Sequence, residues 1–518
     1  MRVEQSLRDS AKRNADKAAL VAGNRRLTFG ELDGLSDRLA RTLVAHGVQR
    51  GDRVIVFMDN CWEAVVGIFA VLKAGAVFSP INPSTKADKL AYVANNCRAG
   101  ALITQARLLA VAAEAVAEAP SVALAVVAGS DQEPAIAGGL RFEDAIAESI
   151  GGTAPERVGI DLDLAMLIYT SGSTGFPKGV MMTHQNVTAA ATSITTYLEN
   201  TPEDVILNVL PISFDYGLYQ VLMAAKVGAT LVLEKSFTFP QAIFQRLIAE
   251  RVTGFPVVPT MAAIILQMKD LKPGSFPHLR YITNTAAALP PAHIGRLREL
   301  FPSTKLFSMY GLTECKRCTY LPPDQLDKRS TSVGIAIPGT EAYVVNDDGT
   351  RARVGEVGEL VIRGAHVMQG YWENPQATER ALRPGPFPWE KVLHTGDLFR
   401  SDADGFLYFV GRKDDIIKSR GEKVSPKEVE NVLYGLPGVR EAAVVGVSDP
   451  ILGMAIKAVV ALAPEAALTD QDVVRHCARH LEDFMVPKFV EFRDALPKTE
   501  SGKISRRQVA EEVLEAAE

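Results

Sequence analysis

Short apolar runs with helical segments between them restrict the fold of this chain more than any other feature. Residues 53–58 read RVIVFM, and similar runs follow at 101–103, 123–127, 165–169, 205–209 and 230–233. Each reads as a buried strand. In residues 27–47, Leu32, Leu35, Leu39, Leu43 and Val44 recur at helical spacing after Thr28-Phe-Gly-Glu31. Strand and helix alternating in this way predict an α/β fold with mostly parallel sheets.

A single hydrophobic core rarely grows past roughly 250–300 residues, so 518 residues predict at least two domains. The composition, 47% hydrophobic and 23% charged, is that of a globular protein in water. The net charge of −5, with scattered basic residues, argues against a nucleic-acid or anionic-membrane surface. In the densest basic cluster, 412–423, the cations alternate with acids and apolar residues, which suits a site better than a polyelectrolyte patch. Five cysteines (Cys61, Cys97, Cys315, Cys318, Cys477) imply no disulfide framework and favour a reducing cytoplasm. Residues 1–22 lack the apolar core of a signal peptide. The longest apolar stretch, 64–78, is broken by Lys73, Gly67 and Gly75 and reads as a buried helix leading into a strand, so no membrane insertion is expected.

Between Gly334 and Gly411 the texture changes. Runs such as 342–345 and 359–363 are separated by Asp-Asp-Gly, Gly-Glu-Val-Gly and Asp-Ala-Asp-Gly turns, which predicts antiparallel hairpins. After Gly411 the pattern changes again. Residues 425–434 read as a helix with Ser425 at the N-cap and Pro426 in the first turn, 439–447 and 455–462 as strands, and 470–481 as a helix. A small α+β domain of about a hundred residues fits this stretch.

The chemistry concentrates at Tyr169-Thr-Ser-Gly-Ser-Thr-Gly-Phe-Pro-Lys178-Gly179. A strand runs into a loop of glycines and hydroxyls that ends in a lysine. Such a loop points backbone N–H groups at an anion, and Thr170, Ser171, Ser173, Thr174 and Lys178 add hydroxyls and a cation. Because Gly179 follows Lys178, the loop is not a Walker A motif.

With this loop in place, the chain resembles the superfamily of acyl-CoA synthetases, luciferases and peptide-synthetase adenylation domains. Six motifs stand in that family's order: Leu72-Lys-Ala-Gly-Ala76 through Pro83, the loop 169–179, Met309-Tyr-Gly-Leu-Thr-Glu314, His394-Thr-Gly-Asp397, Gly411-Arg-Lys-Asp-Asp415, and Pro497-Lys-Thr-Glu-Ser-Gly-Lys503. The resemblance implies two α/β subdomains and a distorted β-barrel over residues 1–411, then a mobile domain over 412–518. It implies ATP, Mg²⁺ and CoA, or the phosphopantetheine of a carrier protein, as cofactors and acceptor. Thr170, Ser171, Gly172, Ser173, Thr174, Gly175 and Lys178 are then expected at the β- and γ-phosphates and Thr313 at the α-phosphate, with Glu314 on Mg²⁺. Tyr310, Gly311, Thr285, Ala286 and Ala287 are expected around adenine, and Asp397 and Arg412 at the ribose. By the same resemblance, Lys503 neutralises charge between the acyl carboxylate and the α-phosphate. Asp414 is the hinge, and Lys418, Gly421 and Lys423 face the thiol acceptor.

Two departures from the family pattern matter. Thr283-Asn-Thr-Ala-Ala-Ala-Leu289 lacks the usual Gly-Gly or Gly-Ser pair before the adenine segment. Phe214-Asp215-Tyr216-Gly217 stands where many fatty and aryl ligases carry a histidine. Asp215 suits the α-ammonium of an amino acid, since a buried carboxylate wants a cation. Alternatively its partner is Arg317, which leaves an apolar acyl channel. Tyr216, Tyr219, Val258, Asn284, Met309 and Cys318 complete the expected pocket. Cys315-x-x-Cys318 has no second Cys pair to complete a zinc site and reads as packing. The expected reaction is formation of an acyl-adenylate and then a CoA thioester. The alternatives are a stand-alone enzyme loading an amino acid such as proline onto a carrier protein, an adenylate oxidase, and a non-enzymatic scaffold.

Overall fold

A computed structural model describes residues 1–147, 159–170, 177–268, 270–285, 289–413, 415–419, 422–449, 453–481, 483–499 and 502–515. Among them the strands form four sheets.

One sheet runs in the order Ile335–Ala336, Thr319–Leu321, Lys305–Tyr310, Tyr281–Asn284, Gly254–Val257, Val205–Asn208, Thr230–Leu233, Ala18–Ala22, Arg25–Thr28. Its six strands from Lys305–Tyr310 to Ala18–Ala22 are parallel. The second runs Gly370–Tyr371, Lys178–Thr183, Leu164–Thr170, Val77–Ile81, Arg53–Phe57, Ala99–Gln105, Leu124–Ala128, Gly139–Arg141, with a parallel centre.

The helix Trp62–Lys73 is buried over all of Ala64 to Lys73. Its terminal cation is neutralised there: Lys73 Nζ lies 2.5 Å from Asp33 and 2.8 Å from Asp37, both on the helix Phe29–Ala45. That second helix starts at a capping box, in which the Thr28 side chain accepts from the Glu31 amide and Glu31 reaches back to Thr28.

The third sheet is antiparallel, in the order Thr340–Val345, Gly358–Gly364, Lys391–Ser401, Leu382–Pro384, with Leu407–Arg412 beside Lys391–Ser401. The Asp-Asp-Gly and Asp-Ala-Asp-Gly turns end on Gly349 and Gly405, each at φ +83°. A smaller α+β unit follows. It contains Ile417–Ser419, Glu422–Val424, Val439–Asp449, Gly453–Leu462 and Phe489–Arg493, with the helices Pro426–Tyr434, Asp470–His480 and Arg506–Glu515. Val429, Leu433, Val444, Val460, Val473 and Cys477 form its core. Ser425 caps Pro426–Tyr434 by accepting from the Glu428 amide, and its hydroxyl donates to the Val410 carbonyl.

Three parallel strands of the first sheet escape the sequence pattern. Gly254–Val257 contains Gly254 and Pro256, residues that count against a central strand. Tyr281–Asn284 and Lys305–Tyr310 mix polar with apolar side chains. The Ala-rich stretch from Ala106 begins as a 3₁₀ turn, Ala106–Leu108, before the helix Leu109–Ala117. No helix among the described residues is long and apolar enough to cross a membrane.

Candidate active site

Leu164–Thr170 and Lys178–Thr183 pair antiparallel with Thr170 opposite Lys178, so the two ends of the Gly/Ser/Thr loop lie side by side. Ser171, Gly172, Ser173, Thr174 and Gly175 fall outside the described residues. Lys178 Nζ sits 4.9 Å from the centre of the Tyr371 ring. The Tyr371 hydroxyl donates to Glu314 Oε1 at 2.7 Å. Burial and the Glu314 charge push that hydroxyl's pKa up, so it stays a donor. One tyrosine thereby touches both the loop cation and the acid of the next motif. Nothing local in the sequence marks Tyr371, which reaches the site by pairing of its strand Gly370–Tyr371 with Lys178–Thr183.

The loop after Lys305–Tyr310 carries Gly311, Thr313 and Glu314. It closes tightly: the Lys316 amide donates to the Leu312 carbonyl at 2.6 Å and the Cys318 amide to the Tyr310 carbonyl at 2.9 Å. A Cβ on Gly311 would lie 1.9 Å from the Lys316 carbonyl oxygen, so the turn requires glycine. Thr313 is half-buried.

The Tyr310 hydroxyl donates to Asp397 Oδ2 at 2.6 Å, and Arg412 Nε lies 3.3 Å from Asp397 Oδ1. Asp397 and Arg412 face each other across neighbouring strands. Burial raises the Asp397 carboxyl, against the pull of Arg412 and Tyr310. Its flank is held by Glu359, which accepts from the Gly396 amide at 3.0 Å and lies 3.4 Å from His394 Nδ1. Burial opposes ionisation of Glu359, but these contacts and Lys413 outweigh it and bring its pKa to about 2. Thr285 is buried nearby in sequence from Asn284, whereas Ala286 and Ala287 lie outside the described residues.

Lys503 comes from the C-terminal unit. It sits on a hairpin in which the Thr499 amide donates to the Lys503 carbonyl at 2.7 Å and the Gly502 amide to the Thr499 carbonyl at 2.8 Å. Gly502 has φ +78°, and a Cβ there would lie 3.5 Å from Thr260 Oγ1 on the helix Pro259–Gln267. The ammonium is within electrostatic reach of Arg412, Asp397 and Arg317. Burial and the two guanidinium charges outweigh Asp397 and bring its pKa down to about 8. Of the remaining C-terminal expectations, Asp414 and Gly421 lie outside the described residues, and Lys418 stands opposite Lys423 in a two-strand ladder.

The pocket corrects one expectation. Asp215 does not pair with Arg317. Its Oδ1 lies 2.9 Å from Lys316 Nζ, with both side chains buried. Lys316 adopts φ +66°, a left-handed conformation that turns its side chain toward Asp215. Arg317 instead lies over the Tyr216 ring at 4.6 Å, and the Tyr216 hydroxyl donates to the Thr283 carbonyl at 2.7 Å. Gly217 is forced by close approach, since a Cβ would meet the Pro211 carbonyl at 2.3 Å. Tyr219, Val258, Asn284 and Met309 are buried, and the Tyr197 hydroxyl reaches Met309 Sδ at 2.8 Å. Cys315 and Cys318 are buried with sulfurs 2.9 Å apart, and burial pushes the Cys315 thiol well up, which keeps it unreactive. Among the described residues no group of His, Cys, Asp and Glu is arranged to hold a metal ion.

Comparison with known proteins places these motifs in one lineage. The model of the AMP-binding enzyme family matches residues 7–372, and that of the AMP-binding enzyme C-terminal domain matches 428–503. A long-chain-fatty-acid–CoA ligase of Salmonella typhimurium is 32% identical, covering 97% of this chain and 93% of that protein. An oxalate–CoA ligase of Arabidopsis thaliana is 33% identical, covering 98% of each. Among solved structures, the anthranilate CoA ligase AuaEII in complex with anthranoyl-AMP superimposes with a TM-score of 0.91 at 27% identity, covering 100% of this chain and 98% of that one. A match over both segments and nearly the full length leaves one conclusion, that the chain belongs to the AMP-binding enzymes, the adenylate-forming ligases.

Proposed function

We propose that this chain activates a carboxylic acid with ATP and passes the acyl group to the thiol of coenzyme A. The reading rests above all on Lys503, which the C-terminal unit contributes to the cleft that holds Asp397 and Arg412. A carboxylate is a poor electrophile. Its oxygen attacks the α-phosphorus of ATP, the bond to pyrophosphate breaks, and an acyl-adenylate forms. Two anions meet in that step, so catalysis is mainly positioning and charge neutralisation.

The hairpin ends Thr170 and Lys178 cradle the outer phosphates. Asp397 accepts from the ribose hydroxyls, with Arg412 beside it, and Thr313 approaches the α-phosphate. Lys503 spans the incoming carboxylate and the α-phosphate. Mg²⁺ fits the donor set, because the Glu314 carboxylate offers the hard oxygen that such a cation takes. When bound it would neutralise phosphate charge.

In the second half-reaction the thiolate of CoA attacks the acyl carbon and AMP leaves. Asp414 is the hinge for bringing Lys418, Gly421 and Lys423 to this step. The named relatives act on acids from long-chain fatty acids to oxalate, which supports the CoA acceptor and leaves the acid to the pocket. An amino acid is disfavoured there because Lys316 already neutralises Asp215.

Acid-dependent ATP–pyrophosphate exchange tests the first half-reaction alone. Lys503→Ala is expected to lower it about a hundredfold or more, with ATP binding retained. Unchanged exchange in that variant would sink the assignment.

A further inference from the structure

Among the described residues, the expected acyl pocket brings a buried guanidinium, Arg317, beside a buried ion pair. Asp215, Tyr216, Tyr219, Lys316 and Arg317 are 6%, 1%, 0%, 1% and 4% exposed. Lys316 and Asp215 cancel at 2.9 Å. Arg317 has no carboxylate within ion-pair distance among the described residues. Its hydrogen bond is a 3.5 Å contact to the adjoining Lys316 carbonyl, and its Nε has no acceptor. The attraction of the Tyr216 ring under it is far weaker than the cost of burying a charge.

The neighbours are also polar and unsatisfied. The Tyr219 hydroxyl and Asp215 Oδ2 are buried with no hydrogen-bond partner. Asp215, Tyr216 and Tyr219 stand on the first turns of the helix Asp215–Val227, and Arg317 lies over the Tyr216 ring, so these side chains lie close together. An aliphatic acyl chain would have to lie against the Arg317 guanidinium and the Tyr219 hydroxyl and leave both donors unpaired, which buried polar groups resist. Arg317 also acts electrostatically on Lys503, so the guanidinium and the ammonium face the same cleft.

We infer that the acid this enzyme activates is a short dicarboxylic acid, whose second carboxylate is received by the Arg317 guanidinium and the Tyr219 hydroxyl while the first faces Lys503. Arginine suits this task, since its planar fork meets a carboxylate through two parallel hydrogen bonds. The inference rests on the adenylation reading above and names the substrate class for it.

The test is ATP–pyrophosphate exchange with length-matched pairs: malonate against propionate, succinate against butyrate, glutarate against valerate, with fatty, aryl and amino acids alongside. The wild-type enzyme is expected to favour one diacid over its monoacid by about a hundredfold in kcat/KM. Arg317→Met, which keeps length and removes charge, is expected to lower the diacid rate far more than the monoacid rate and so abolish that preference. The wild-type ratio needs no variant, so it stands even if Arg317→Met folds poorly.

Robust exchange led by a fatty, aryl or amino acid overturns the dicarboxylate and leaves adenylation intact. An equal loss on diacid and monoacid in Arg317→Met also overturns it, because Arg317 would then serve the reacting carboxylate. Silence across the whole panel overturns both readings.

Discussion

At the scale of single residues, the pocket turns on which of two adjacent cations meets Asp215. Sequence adjacency makes Lys316 and Arg317 equivalent candidates. The left-handed turn at Lys316 decides between them, and no residue preference signals it, because a lysine rarely adopts φ +66°. The pair carries a stability prediction. Lys316→Met leaves Asp215 buried and unpaired, at an expected cost of about 3–5 kcal/mol. Asp215→Asn combined with Lys316→Met removes both charges and is expected to recover most of that loss. Urea denaturation of the two single variants and the double closes the cycle. Additive losses would show that the 2.9 Å contact carries no coupling. By contrast, Lys178, Glu314, Asp397, Arg412 and Lys503 are legible because each sits in a motif that resembles the family's. Their partner Tyr371 was invisible, since its contact with Glu314 crosses from one sheet to another.

At the scale of elements, strands that are uniformly apolar were legible and mixed ones were not. Thr230–Leu233 and Arg53–Phe57 are apolar after their first residue and lie inside a sheet, so composition alone marks them. The hairpin Ala18–Ala22 and Arg25–Thr28 was missed as a partner of Thr230–Leu233. That pairing joins residues some two hundred positions apart, which no local pattern records. The loop from Gly311 to Cys318 is the element on which the site depends. It positions Thr313, Glu314, Lys316 and Arg317 together, and it closes only because Gly311 has no Cβ. Gly311→Ala is therefore expected to displace all four at once. Misplacement of reacting groups by about an ångström costs about a hundredfold in rate, so exchange should fall by that order while the melting temperature moves by only a few degrees. The pair of measurements is decisive: wild-type exchange rates in a folded Gly311→Ala protein would mean that the loop tolerates the shift and does not set the geometry of the site.

At the scale of the whole molecule, the C-terminal unit reaches the large N-terminal part through Lys503, through Gly502 against Thr260, and through Tyr434 beside His293 at 6.5 Å between ring centres. Docking encloses the Lys503 ammonium near Arg412 and Arg317, and its pKa falls from 10.5 to about 8. Free of the cleft, the same lysine holds its proton up to its ordinary value. Between pH 8 and 10.5 the undocked form therefore binds more protons than the docked one, and docking without ligand strengthens as pH rises through that window. Across it the linkage amounts to about 3 kcal/mol. On the role proposed for Lys503, catalysis runs the other way: adenylation uses the ammonium, and the exchange rate is expected to fall as pH climbs past about 8. Hydrogen exchange of residues 502–505 in the apo protein should accordingly slow relative to the intrinsic rate between pH 8 and 10.5, while turnover at low ATP declines over the same range. Phosphate anions in the cleft stabilise the protonated lysine, so saturating ATP should shift both profiles to higher pH. Protection and activity that rise or fall together with pH would mean that some group other than Lys503 governs closure.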